Sequence, residues 1–160
     1  MKLNLDLLAL SDQLRIQRKE NTSYIWDTQR RKFLVLTPEE IVRQLLMIHL
    51  IQKRGFNPSR LSVEKMIKVN GMVKRCDILI YDAHFLPWML VECKAASVKI
   101  SETTFRQIAI YNLPLRVPYL LVCNGPDAYC CAMNYETESY TFLKQLPSFG
   151  ESPIFGSEEE

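Results

Sequence analysis

The 160-residue chain is long enough to bury one hydrophobic core without disulfides or a structural metal, and at 48% apolar and 24% charged it has globular composition. A net charge of +2 is too mild to argue for a nucleic-acid partner or against one. The five cysteines lack the paired spacing of zinc sites, no stretch approaches membrane-spanning length and no signal-peptide run opens the chain, so a cytoplasmic domain is expected.

Residues 14–36 alternate polar and apolar positions around two polar stretches, which predicts a β-hairpin or short meander within an N-terminal extension, residues 1–36. Thr37-Pro38-Glu39-Glu40 then supplies an N-cap, a proline at the first helical position and a glutamate at the third. A helix starts there, Gly55 ends it, and Ile41, Val42, Leu45, Leu46 and Leu50 form its apolar face. Two strands follow, at 61–69 and 72–81, joined by the hairpin dipeptide Asn70-Gly71. A third strand at 88–94 pairs back onto the second.

Ser101 caps a second helix with Phe105, Ile108, Ala109 and Asn112 facing inward, and the strand at 119–123 comes next. A strand, helix and strand in that order imply parallel pairing in one sheet. Asn124-Gly125 makes another turn, 129–133 and 139–143 form a closing hairpin, and the Pro-, Ser- and Glu-rich stretch 147–160 reads as a loose tail. The expected architecture is α/β, with an α-β-β-β-α-β core at 37–146 around a mixed sheet, in a single domain.

A symmetric turn flanked by Tyr81 and Trp88 sets Asp77 opposite Glu92. Leu79 and Leu90 share their face, while Cys76, Ile78 and Ile80 with Met89, Val91 and Cys93 make the other face apolar. Two carboxylates facing each other across a ladder repel unless a positive charge stands between them. A hard divalent cation such as Mg²⁺ takes one or two carboxylates plus waters and phosphate oxygens, and Lys94, two residues after Glu92, lies on the same face. Acids, a metal and one lysine suffice for phosphodiester hydrolysis. The plainer alternative for the same residues is a solvated face carrying a Glu-Lys pair.

The segments Thr37-Pro-Glu-Glu-Ile-Val-Arg-Gln44, Val63-Glu-Lys65, Val69-Asn-Gly71, Arg75-Cys-Asp-Ile78, Val91-Glu-Cys-Lys-Ala95 and Gln107-Ile-Ala-Ile-Tyr111 carry a family resemblance. In this order, over about residues 37 to 143, they resemble the PD-(D/E)xK nuclease superfamily, and more narrowly the N-terminal nuclease domain of type I restriction-enzyme motor subunits. The resemblance implies a restriction-endonuclease-like fold and Mg²⁺-dependent DNA cleavage, with Mn²⁺ as substitute. It assigns Asp77 and Glu92 to the metal, Lys94 to the catalytic core and Glu40 to the acid from the first helix. Gln107 and Tyr111 match a Gln-x-x-x-Tyr motif that contacts DNA or the site edge. The chain departs from the superfamily pattern in having Cys76, not proline, before Asp77. Expected partners are DNA and a separate motor or specificity protein, with no membrane, and homo-oligomerisation is open. The rival function is a catalytically silent nuclease-fold protein that binds DNA or a partner.

Other residues have competing readings. Glu40 can complete a capping box by bonding back to the Thr37 amide. Glu64 faces Asp77 across the first hairpin, as a fourth acid or, by preference, a paired surface charge. Residues 29–32, with Arg15, Arg18 and Lys19, are the most basic region, either solvated or in contact with phosphate. His49 reads as a packed histidine and His84 as a turn residue. No phosphate-binding loop of a nucleotide-driven motor occurs.

Overall fold

The computed structural model describes residues 2–112 and 114–155, with all their side chains except those of Val69 and Tyr111. A single 3₁₀ segment, Leu7–Gln13, comes first and buries Leu7 and Leu10; it is too short to show a helical period in the sequence. The N-terminal extension is a three-stranded antiparallel sheet of β1 (Ile16–Lys19), β2 (Thr22–Asp27) and β3 (Lys32–Val35). Asp27 closes the β2–β3 turn, its Oδ1 accepting the amide N–H groups of Gln29 and Arg30 at 2.9 and 3.1 Å.

Helix α1 (Pro38–Ile48) starts where the cap signal puts it, with Thr37 Oγ1 accepting the Glu40 N–H at 3.1 Å. It runs on through a π turn at His49–Lys53, and Gly55, at φ 68°, follows that turn. The main sheet holds β4 (Leu61–Val69), β5 (Met72–Tyr81), β6 (Pro87–Cys93), β7 (Tyr119–Cys123), β8 (Ala128–Asn134) and β9 (Ser139–Phe142), neighbours in chain order. Among the described residues only β6 and β7 pair in parallel, across the crossover that contains α2 (Glu102–Asn112). The expected α-β-β-β-α-β core with its closing hairpin is the observed one.

Both faces of the sheet are core. Val42, Leu45 and Leu46 of α1 and Leu50 of the π turn pack on Ile78, Ile80, Met89 and Val91, and Phe105 and Ile108 of α2 pack on Leu79, Leu90, Leu120 and Val122. Each such side chain contributes roughly 1.5–3 kcal/mol by leaving water, so the two helices hold the sheet from either side. The face carrying Leu79 and Leu90 is therefore not a solvated outer face.

The register along both hairpins is the expected one, with two irregularities. Val63 pairs with Ile78 and Lys65 with Cys76, but Glu64 between them has φ 58°, a left-handed conformation unusual for a side chain in a strand. Alternation inverts across it. Val63 and Ile78 pack against the α1 core, whereas Ile67 and Cys76 belong to the α2 core. Cys76 thus leaves the face expected for it. The β5–β6 ladder keeps Ile78 opposite Val91 and Ile80 opposite Met89, and a bulge after Ile80 pairs Tyr81 with Pro87 instead of Trp88.

The stretch expected to be loose is held at its start. The Trp88 indole N–H donates to the Glu151 carbonyl at 2.8 Å, and Phe149 packs edge-on to Trp88 and against Phe56, because a buried indole needs an acceptor. Residues 156–160 of that expected tail lie outside the described residues.

At the end of α2 the fully buried Asn112 accepts the Val117 N–H at 2.8 Å and donates to the Val117 carbonyl and Tyr135 hydroxyl, tying the helix to the start of β7. Replacing it with alanine strands buried backbone groups, so Asn112→Ala is expected to lower unfolding free energy by about 1–3 kcal/mol in urea titration. An unchanged midpoint would show the tie to be dispensable.

Candidate active site

The charged side chains converge where the first turn of α1 passes the middle of β4 and β5 and the end of β6. Glu40 comes from the first turn of α1, Arg43 lies three residues on, Glu64 sits at the strained point of β4, and Asp77 is on β5. The guanidinium of Arg43, 4% exposed, binds all three carboxylates: Glu40 Oε1, Glu64 Oε1 at 3.0 Å and Asp77 Oδ1 at 2.6 Å. Burial disfavours its charge, but Asp77 foremost, then Glu40 and Glu64, outweigh that and raise its pKa.

Asp77 uses its second oxygen, Oδ2, to accept the Cys93 N–H at 2.8 Å, which fixes its carboxylate between α1 and β6. The β5–β6 ladder ends one pair short of Asp77 and Glu92, but their carboxyl groups lie within hydrogen-bonding reach of each other. Glu92 is 8% exposed, and burial first and the Asp77 carboxylate second push its pKa up to about 9, while Lys94 pulls it down. Its Oε1 has no hydrogen-bond partner, nor has Oε2 of Glu40. Buried polar atoms rarely stay unpaired, so both are places where a ligand, ion or water is called for.

Lys94 follows β6 directly, half-buried, with its backbone N–H on the Cys123 carbonyl at 2.8 Å and its ammonium close enough to Glu92 to lower that pKa. Arg75 binds Glu64 Oε2 at 2.9 Å and is 61% exposed. Gln107 lies exposed on α2. Tyr111 belongs to the same helix, but its side chain is outside the described residues. The structure therefore gathers Glu40, Asp77, Glu92 and Lys94, and leaves Gln107 on the helix surface.

The reciprocal capping bond considered for Glu40 is not made: its Oε1 takes Arg30 and Arg43, and its Oε2 takes nothing. Glu64 belongs to the cluster, contrary to the preference for a surface charge. Its position opposite Asp77 was the signal. Arg43 was missed, although a buried arginine three residues after a glutamate on a helix needs such a partner. Arg30 was counted with the basic surface of residues 29–32. Its Nε binds Asp27 Oδ2 at 2.6 Å and its terminal nitrogen binds Glu40 Oε1 at 3.2 Å, so it turns inward.

Thiol chemistry has little footing here. Burial, ahead of Glu92 and Asp77, pushes the Cys76 thiol up to about 12, and burial, then Asp77, raises the Cys93 thiol as well. His49 is buried under α1 with its pKa lowered, first by burial and then by Arg54 and Lys53, and His84 sits in the Asp82 turn. Among the described residues no three His, Cys, Asp or Glu side chains form a ready metal cluster. No helix of the described residues is long and apolar enough to cross a membrane.

A family model described as the type I restriction enzyme R protein N terminus matches residues 38–147. A solved structure similar to this chain is a fragment described as an HsdR subunit of a type I restriction enzyme from Vibrio vulnificus YJ016, at 18% identity and a TM-score of 0.48. The match covers 69% of this chain and 23% of that one, so the chain spans under a quarter of that relative. No curated protein matches.

The raised pKa of Glu92 makes a pH prediction. A folded pKa of about 9 against an ordinary 4.5 means that folding favours the protonated acid; this contribution is complete below 4.5 and is lost as pH rises toward 9. In excess chelator, Glu92→Gln is therefore expected to raise Tm at pH 8, with the gain shrinking as pH falls toward 5 in thermal melts. A gain independent of pH would contradict it.

Proposed function

The chain belongs to the family of the type I restriction enzyme R protein N terminus, and from that premise we propose that it is a metal-dependent nuclease module that hydrolyses DNA phosphodiester bonds. One observation carries the reading: Glu40, linked to Asp77 through Arg43, and Glu92, beside Asp77, each keep a buried, unpartnered carboxylate oxygen. A site made of acids, two of them with unused buried oxygens, is chemically suited to a hard divalent cation.

Asp77 and Glu92 would hold Mg²⁺, or Mn²⁺ in its place, and one or two protein carboxylates with waters and phosphate are what Mg²⁺ ordinarily takes. Such an ion supplies Lewis acidity toward a phosphoryl oxygen and a more acidic water. The chain's own residues provide the rest. Lys94 presents an ammonium beside Glu92, suited to orient a water or a phosphate oxygen. Glu40 offers its free Oε2 as an acceptor in the same place. Arg43 keeps Glu40 and Asp77 from repelling each other while the site is empty of substrate.

Exposed Gln107, with Tyr111 four residues on, is the DNA-contacting pair of this reading, and a separate motor or specificity protein is its partner. The second reading, a silent nuclease fold that binds DNA or a partner, draws on Arg43: its salt bridge already neutralises Asp77 without a metal. Calorimetry separates them, since a silent module need show no Mg²⁺ affinity that Glu92→Ala removes.

With Mg²⁺ or Mn²⁺ and a panel of linear, nicked, branched and single-stranded DNA, cleavage is expected, and Asp77→Ala should reduce its rate by about a hundredfold or more. Cleavage that survives this substitution unchanged would reject the site.

A further inference from the structure

We propose that Arg30, which lies outside the span matched by the family model, is a positioning residue for Glu40, making the N-terminal sheet part of the active module. The proposal rests on the nuclease reading above. The β2–β3 turn that carries Arg30 is fixed on three sides. Asp27, with no exposed surface, holds the turn amides through Oδ1 and the Arg30 Nε through Oδ2 at 2.6 Å. Gln29 donates to the carbonyls of Pro58 and Leu61 at 2.8 and 3.1 Å, which pins the same turn to the start of β4. Arg30 then reaches across to Glu40 Oε1 at 3.2 Å.

Two guanidinium groups, Arg30 and Arg43, thus converge on a single oxygen of Glu40. That leaves Oε2 buried and unpartnered. A carboxylate clamped through one oxygen cannot swing its other oxygen away, so the free acceptor is held where α1 meets Asp77. Arg43 divides its guanidinium among Glu40, Glu64 and Asp77, so only part of it serves Glu40. Arg30 is held from outside the acidic cluster, by Asp27, and takes its orientation from the N-terminal sheet. An arginine bridges two carboxylates through different nitrogens of one rigid plane, which a lysine does not do.

The sign of the effect on a dication separates positioning from charge. Removing a positive group beside an acidic site tightens a dication by Coulomb attraction alone, whereas loss of positioning weakens it. The test uses the full chain as wild type, R30M, R30K, E40Q and R30M/E40Q, with Mn²⁺ titrated by calorimetry and Mn²⁺-dependent DNA cleavage measured in parallel. R30M and R30K should each weaken Mn²⁺ binding by about tenfold and lower kcat by a similar factor with KM unchanged. R30M should add nothing once E40Q is present. Tighter or unchanged Mn²⁺ binding in R30M, wild-type behaviour of R30K, or additive losses in the double variant would overturn the proposal, and R30K decides it should R30M fail to fold. A wild-type chain that neither binds Mn²⁺ nor cuts DNA would reject the nuclease reading itself, a result distinct from any of these.

Discussion

Four carboxyl groups, from Glu40, Glu64, Asp77 and Glu92, crowd into one partly buried place, and at low effective dielectric such groups repel strongly unless cations stand between them. Arg43 is the cation that makes the arrangement tolerable. Its guanidinium ties α1 to β4 and β5 at once, and it makes no salt bridge to Glu92, whose pKa is raised by burial and by Asp77. Much of the geometry around the site follows from where that one side chain has to reach.

The strained backbone at Glu64 fits this constraint. A left-handed residue within a strand costs of order 1–3 kcal/mol and persists only where its surroundings over-determine it. Here the carboxylate of Glu64 bridges Arg43 and Arg75, and the inverted alternation lets Cys76 and Ile67 join the α2 core while Ile78 stays in the α1 core. The hairpin therefore keeps its register and changes its faces. Strain, charge and packing meet at the same residue.

The N-terminal sheet is tied into the same network. Asp27, Arg30, Glu40, Arg43 and Asp77 alternate in sign from the β2–β3 turn to the middle of β5, each within salt-bridge distance of the next. Buried ion pairs of this kind give little net stability against apolar replacements, since desolvation offsets their attraction. Their value lies in holding specific oxygens in specific places. Loss of Arg43 would leave Asp77, and loss of Arg30 would leave the buried Asp27, without its salt-bridge partner.

The sequence by itself determined the order of elements, because the signals for each are local: the Thr37-Pro38 cap, the Asn70-Gly71 turn, the apolar runs of β6 and β7, and the Ser101 cap of α2. It also determined the hairpin registers, since turn geometry propagates along a ladder, and through them the closeness of Asp77 and Glu92 and the position of Glu64 opposite Asp77. The bulge at Tyr81 and the inversion at Glu64 were not legible, because period-two alternation assumes an unbroken pleat. Arg30 and Arg43 were hidden for a different reason. A cation's partner is chosen by distance in space, and Glu40, Asp27 and Asp77 come within reach only when three separate elements pack together. The tertiary structure alone decided which charges are buried, which oxygens are left unpaired, and that the N-terminal sheet supplies one of the site's two clamping arginines.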